Sequence, residues 1–271
     1  MKSHYLTLNQ AHWDKQAAMQ NQWSKPVDDK EIIEAKKGNW KVHLTPNPVK
    51  KEWLVDIKGK NILCLASAGG QQAPILAAAG GQQAPILAAA GGIVTVFDLS
   101  EGQLSKDSQL AQKHQLALTT QQGDMADLSV FSDESFDIVF HPISNLYVPD
   151  VNPVWQECYR VLRKNGVLMA SFYNPVVFVD DRNQALRAQG LMRPTYRLPY
   201  SDQNSLPSDI LQEKIAKGDG LVFGHSLTDL IGGQLRAGFL LQDFVEDFAP
   251  QARFLIDSYI PTFLASKAIK I

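Results

Sequence analysis

A doubly wound α/β fold with a parallel sheet is what the 271-residue sequence predicts, and three observations carry it. From Lys58 onward, short apolar runs bounded by polar or glycine residues alternate with helical segments, the pattern of strands buried on both faces and linked by crossover helices. Composition is that of an ordinary globular chain, 45% hydrophobic and 20% charged, at a length suited to one large domain with an insertion. One strand leads through a small-residue turn into a helix and then a second strand ending in an acid, a layout that binds nucleotides.

Residues 1–57 read as an N-terminal lid or extension of mixed polarity with scattered aromatics, Tyr5, Trp13, Trp23 and Trp40. Within them "PVDDKEIIEAKKG" predicts a short helix, with acids in its first turn, lysines in its last and Gly38 as a stop. The proline-broken "HLTPNPVKKEW" connects it to residues 58–271, the main domain. There "KNILCLAS" and "IVTVFDLS" are the first two strands, and "EGQLSKDSQLAQKHQ" is a helix with Ser100 and Gln103 spaced as a capping box. "LALTTQQGD" and "SFDIVFHP" are strands three and four, "VPDVNPVWQECYRVLRKNG" a helix ending at Gly166, and "GVLMASFYN" strand five. Residues 174–224, with prolines, charges and the helical "SDILQEKIAKG", break the rhythm and read as a substrate-side insertion. "SLTDLIGGQLRAGF" restores a helix, and "LLQDFVEDF" and "YIPTFLASKAIK" complete seven strands.

Between the first two strands the chain repeats itself: GGQQAPILAAA occupies 69–79 and again 80–90. Repeat architectures use longer units in greater number, and "APILAAA" is too apolar for a solvated linker, so the unit reads as one glycine turn and helix copied once. Eleven residues make 3.67 per turn over three turns, keeping the apolar face in phase, but Gly80, Gly81 and Pro85 would break a fused helix. The first copy is expected to keep the native helix position because it follows the strand directly, leaving residues 80–90 as a displaced extra segment. In the alternative register the extra eleven residues enter the turn.

A formal charge of −2 gives no reason to expect nucleic acid or an anionic membrane as partner. No segment has the apolar length of a membrane span, and the first sixteen residues lack the apolar centre of a signal peptide, so a cytoplasmic protein is expected. Cys64 and Cys158 have no metal-ligand spacing and read as buried thiols, and no metal is expected.

The acid ending the second strand, Asp98, is suited to accept both ribose hydroxyls of a nucleotide; capping the next helix is its plainer alternative. From Gly69 to Asp98 is 29 positions, or 18 without the copied eleven, a usual distance for such an acid. "ASAGGQQAP" lacks the G-x-G-x-x-G of dinucleotide oxidoreductases, which disfavours that class. In "QQGDMADL", Asp124 is placed to accept an adenine amino group and Met125 to cover the ring, while strand four opens into His141, Ser144 and Asn145.

"ILCLASAGG", "VTVFDLS", "GDMADLSVFSDESFDIVF" and "RVLRKNGVLMAS" together resemble the class I S-adenosylmethionine-dependent methyltransferases, in particular the small-molecule group related to ubiquinone and menaquinone biosynthesis. The resemblance spans roughly residues 58–174 and 226–271. It implies a Rossmann-like seven-stranded sheet with the last strand antiparallel, and S-adenosyl-L-methionine held by Ser67, Ala68, Gly69, Gly70, Gln71, Asp98, Leu99, Asp124, Met125, His141, Ser144 and Asn145. The family's turn is an acid followed by G-x-G-x-G; here Cys64 takes the acid's place, Ala66 and Ala68 replace two glycines, and Gly70 remains.

Methyl transfer from a sulfonium is an in-line displacement, so catalysis is positioning plus deprotonation of an acidic acceptor. His141, where strand four meets the cleft, is the candidate base, with a structural role at His141-Pro142 as its alternative. Asn145 and Tyr147 are candidates to orient the acceptor, His225 a second base, and Trp13 and Trp23 lid residues. Tyr173, Tyr196 and Tyr200 are candidates to line the acceptor pocket. The expected partner is a small molecule, its identity and the oligomeric state being unreadable from the sequence. The competing reading is a scaffold of the same fold, binding or not binding the cofactor, with activity lost through the duplication.

Overall fold

A computed structural model describes residues 4–19, 27–54, 56–67 and 83–271. The apolar runs become the strands β1 (Asn61–Leu65), β2 (Ile93–Asp98), β3 (Leu118–Gln122), β4 (Phe136–His141), β5 (Leu162–Tyr173), β8 (Phe239–Asp247) and β9 (Phe263–Lys270). They form one seven-stranded sheet in the order β3-β2-β1-β4-β5-β9-β8. Two-residue strands β6 (Tyr200–Ser201) and β7 (Phe223–Gly224) pair separately in the insertion. Strands β1 to β5 run parallel, in registers such as Asn61↔Ile93 and Ile62↔Ile138. The last strand, β9, lies antiparallel between β5 and β8, as expected. The chain winds outward from β1 to β3, then returns to β4 on β1's other side. That reversal opens a crevice at the carboxyl ends of β1 and β4.

Alternation along β1 explains its unbroken apolar sequence. Ile62 and Cys64 face one core with Val94, Val96 and Phe140, while Leu63 and Leu65 face another with Val139, Leu168 and Trp155. Both thiols are fully buried, and burial pushes their pKa values up. Helix α1 (His4–Ala18) lies over the carboxyl edge of the sheet, whereas α2 (Asp29–Lys36) and the connector after it pack into the first core through Ile32, Leu44, Trp53 and Ile57. Of the described N-terminal segment, then, α1 alone stands at the sheet's carboxyl edge; Trp23 lies outside the described residues.

The duplicated unit is arranged otherwise than expected. Its second copy forms α3 (Gln83–Ala89), a helix buried from Gln83 to Ala88 against the first core. The physical reason is its junction with β2. Gly91, at φ 103°, and Gly92 turn the chain into Ile93, with Gly92 N bonded to Leu87 O and Gly59 N bonded to Gly91 O. A copy placed eleven residues earlier would leave that tight junction unmade. At the other end Gln83 Oε1 accepts from His43 N at 2.6 Å. The expectation of a displaced second copy is therefore overturned, and the first copy lies outside the described residues.

Helix α4 (Glu101–His114) starts where predicted, with Ser100 Oγ accepting from Gln103 N at 3.1 Å. Helix α5 (Asn152–Val161) ends five residues before Gly166, because Leu162 already joins the sheet opposite Phe136 and a bulge with Asn165 at φ 64° follows. In the insertion, α6 (Gln184–Ala188) and α7 (Ser208–Ala216) are exposed helices. The single helix expected over 226–239 is a turn at Leu227–Leu230 followed by α8 (Gly232–Ala237), with Phe239 already in β8. A Cβ on Gly233 would stand 2.6 Å from the Trp155 ring, so glycine permits this close approach.

Candidate functional site

The carboxyl ends of β1, β2, β3 and β4 place their following residues around one cleft. Its walls include Ala66, Asp98, Leu99, Asp124, Met125, Ser144 and Tyr147, and its roof is Leu6, Asn9 and Trp13 of α1. Five of the predicted cofactor residues thus converge, Asp98, Leu99, Asp124, Met125 and Ser144, together with the candidates Tyr147 and Trp13. Ala68, Gly69, Gly70 and Gln71 lie outside the described residues.

Local chemistry holds each wall. Asp98 ends β2 nearly buried, and its Oδ1 accepts from Ser100 N at 3.0 Å, turning the chain into α4. Gly123 N bonds to Asp98 O at 3.0 Å, tying the exit of β3 to that of β2. A Cβ on Gly123 would meet the Phe97 ring at 2.0 Å, so only glycine lets Asp124 and Met125 come this close. Burial holds the Asp124 carboxyl above the ordinary carboxylate range, against the Ala126 N–H that bonds its Oδ1 at 3.0 Å. Ala66 sits at φ 48°, a left-handed conformation costing an alanine roughly 1 kcal/mol more than a glycine. Its N–H bonds to Phe97 O at 2.7 Å.

Four predicted residues lie behind or beside these walls. His141 is fully buried, its Nδ1 paired with Leu65 O at 3.0 Å and its ring edge-on to Trp155. Burial lowers its pKa to about 4. A group so enclosed does not reach an acceptor, so its reading as the catalytic base is replaced by a structural one. Asn145 is equally internal, with Nδ2 donating to Ser171 O at 2.8 Å and its carbonyl paired with His225 Nε2 at 2.9 Å. His225 is therefore also structural, its pKa lowered by burial. Ser67 is buried at the end of β1, beside the cleft but not among its wall residues.

What sequence reasoning missed is how α1 is fastened. Asp14 Oδ1 accepts from Ser100 Oγ at 2.6 Å and from Gly102 N at 3.1 Å, so α1 is fastened to the start of α4 close to Asp98. Asn9 bonds Tyr147 O and Leu221 O, while His12 Nδ1 pairs with Gly218 O at 2.9 Å. Helix α1 thus joins the sheet's edge to the insertion. The one signal in the sequence was an aspartate beside Trp13. Asp14→Ala is expected to weaken ligand binding in the cleft about tenfold, the loss of charge-assisted bonds worth about 1.5–3 kcal/mol offset by partial rehydration. Titration calorimetry checks this; unchanged affinity would uncouple α1 from the cleft.

A second cavity lies across Tyr147, which lines both. Tyr173, Val177, Phe178 and Phe254 form its apolar walls, and His12 reaches it from α1. Tyr173 is one of its lining residues. Tyr196 and Tyr200 are not among them; Tyr196 packs on Tyr200 and Tyr200 on Phe178, with the Tyr200 hydroxyl donating to Asp202 at 2.7 Å.

Two buried polar atoms, Ser67 Oγ and His141 Nε2, have no hydrogen-bond partner among the described residues. They lie at or just past the ends of adjacent strands β1 and β4, behind the cleft walls. The Asp98 and Asp124 carboxylates, Met125 and Ser144, which do line the cleft, form a set suited to a nucleoside bearing an amino-acid tail. Among the described residues no cluster of histidine, cysteine and carboxylates is arranged to hold a metal, and no helix is long and apolar enough to cross a membrane.

Known proteins resemble this chain at three levels. The family described as "Methyltransferase domain" matches residues 76–170. A Bacillus subtilis (strain 168) protein named as an uncharacterized methyltransferase is 44% identical over 264 residues, 97% of each chain. A putative S-adenosylmethionine-dependent methyltransferase from Listeria monocytogenes shares the fold, with TM-score 0.54 and 22% identity over 82% of this chain and 95% of its own. So does an S-adenosylmethionine-dependent methyltransferase from Mesorhizobium loti, with TM-score 0.53 and 18% identity over 81% and 95%.

Proposed function

The chain belongs to the class I S-adenosylmethionine-dependent methyltransferases, and from that premise we propose that it methylates a small molecule seated in the cavity across Tyr147. The observation that carries the reading is the pairing of two spaces: a cleft walled by Asp98, Asp124 and Met125, and a second cavity sharing Tyr147 with it. In this reading residues 58–271 are the methyltransferase domain and α1 its lid.

Asp98 would hold the ribose, Asp124 and Met125 the adenine, and Ser144 with the turn after β1 the amino-acid end. S-adenosyl-L-methionine supplies an electrophilic methyl group on a sulfonium. The chain's own part is to exclude water and set the line of approach. Trp13 packs edge-on against Tyr147 at 5.4 Å, closing the roof over the boundary between the two spaces. Burial raises the Tyr147 and Tyr173 phenols well above their ordinary range, so both stay protonated and act as hydrogen-bond donors and not as bases. With His141 enclosed, no histidine on these walls is a strong base; His12, its pKa also lowered by burial, is the remaining imidazole at the cavity. An acceptor that ionises easily or is already nucleophilic suits such walls. A catalytically silent scaffold is the less favoured reading.

The test is calorimetric titration of S-adenosylmethionine and S-adenosylhomocysteine into this chain and into one lacking eleven repeat residues. Because the copies are identical, removing either gives the same polypeptide. Micromolar binding by the present chain is expected. Binding by the shortened chain alone would mean the duplication disables the site; binding by neither would end the reading.

A further inference from the structure

The acceptor cavity carries more positive charge than its own carboxylates neutralise. Arg182 and Arg253 come from opposite ends of the C-terminal half, yet both guanidiniums lie over one ring, Phe254, at 4.8 and 5.3 Å from its centre. Two cations at one aromatic ring repel each other, and cation–π attraction offsets only part of that repulsion. Arg182 also holds a left-handed backbone, φ 57°, which an arginine adopts at some cost.

The surrounding acids are engaged elsewhere. Lys214 on the same wall is paired with Asp202 at 2.6 Å, and Asp202 also accepts from Tyr200 and from Val222 N. Asp257 is occupied by the Arg253 and Phe254 backbone N–H groups and by Thr262 Oγ1. Asp181 pairs with Arg193. Asp219, on the exposed rim, is the remaining carboxylate of the lining. Arg182 and Arg253 each lack a carboxylate within 4.0 Å among the described residues, although both face a concave space. Both are solvent-accessible, so their charge is presented to the cavity rather than sealed in the core.

We propose that this pair is the recognition site for an oxyanion carried by the acceptor, whose apolar body rests on Tyr147, Tyr173 and Phe178. The acceptor class is accordingly a small apolar or aromatic molecule bearing a carboxylate or phosphate. Two forks converging on one ring suit bidentate capture of either group. The anion anchors the acceptor at the far wall, and the shared Tyr147 sets which end faces the cofactor cleft. This inference rests on the methyltransferase reading for the transfer step, but the anion site stands on the cavity alone.

The test uses the full chain and three probes of one shape: benzoate, phenyl phosphate and neutral benzamide. Each is titrated by calorimetry with and without saturating S-adenosylhomocysteine, into the wild type, Arg182→Gln, Arg253→Gln and the double variant. The anions are expected to bind at least tenfold tighter than benzamide, and to weaken as sodium chloride is raised. Each single variant should lose about tenfold, and the double variant should no longer discriminate charge. Which anion binds tighter separates a planar carboxylate acceptor from a tetrahedral phosphate one. Unchanged S-adenosylhomocysteine affinity in the variants reports an intact fold. Equal binding of benzamide, retained discrimination in the double variant, or no anion binding would overturn the proposal. Anion binding without any S-adenosylhomocysteine binding would keep the arginine site and remove the methyltransferase reading.

Discussion

Asp98→Ala is expected to weaken S-adenosylmethionine binding by about 30- to 100-fold, the equivalent of about 2–3 kcal/mol. The side chain stands at the tip of β2, 7% exposed, with Oδ1 already accepting from Ser100 N. A carboxylate so oriented is suited to take two ribose hydroxyls, and charge-assisted bonds of this kind are worth about 1.5–3 kcal/mol each before the rehydration of the emptied site. Alanine removes these bonds together with the Ser100 turn. The Asp98→Asn variant keeps that turn but offers the ribose a neutral amide in place of the carboxylate, so an intermediate loss is expected. Calorimetry on the three proteins separates the contributions: near-wild-type binding by the asparagine form would mean the carboxylate serves the turn alone. Affinity of the alanine form within twofold of wild type would remove Asp98 from the cofactor site. Gly123 and Phe97 make the same point sterically, since the wall that presents Asp124 exists only because position 123 has no side chain.

How much of this was legible in the sequence follows from what each feature depends on. The seven strands were legible because both faces of the central ones are buried, which forces runs such as "NILCL" to be apolar throughout. Asp98, Asp124, Met125 and Ser144 were legible because a strand's carboxyl end fixes where the next few residues go. The choice between repeat copies was not, because identical sequences differ only in which glycine pair meets Ile93, and that is settled by the junction with Lys58 and Gly59. The end of α5 was misread since Leu162 to Asn165 are polar enough to continue a helix, yet Leu162 is drawn into the core beneath Phe136. Asp14, Arg182 and Arg253 were invisible for a different reason. Each acts on elements distant in the chain, and no local spacing announces a contact made only when α1, the insertion and the last connection meet.

His141 shows how one residue can satisfy a positional expectation and fail its chemical one. It ends β4 at the crevice, as a base should, but its ring points into the second core, between Leu65 O and Trp155. Ser144 Oγ is the nearby polar group at 3.4 Å from Nδ1, and burial alone drives the pKa down, with the Leu65 bond opposing. The unfolded chain takes up this proton near pH 6.5, the folded chain near pH 4. Between those values the unfolded state binds more protons, so stability present above pH 6.5 is lost as pH falls toward 4, by about 3 kcal/mol from this residue. His12, His43 and His225 shift in the same direction, each chiefly through burial, and steepen the decline. His141→Asn isolates the contribution: its amide can still donate to Leu65 O, and nothing at the site titrates. Urea unfolding at pH 7.5 and pH 5 should show the variant less stable at the higher pH, from the space left beside Trp155, yet losing about 2 kcal/mol less on acidification than the wild type. Equal losses in both proteins would mean that the His141 pKa is the same in the folded and unfolded chain, so that the ring is open to water and its candidacy as a base is restored.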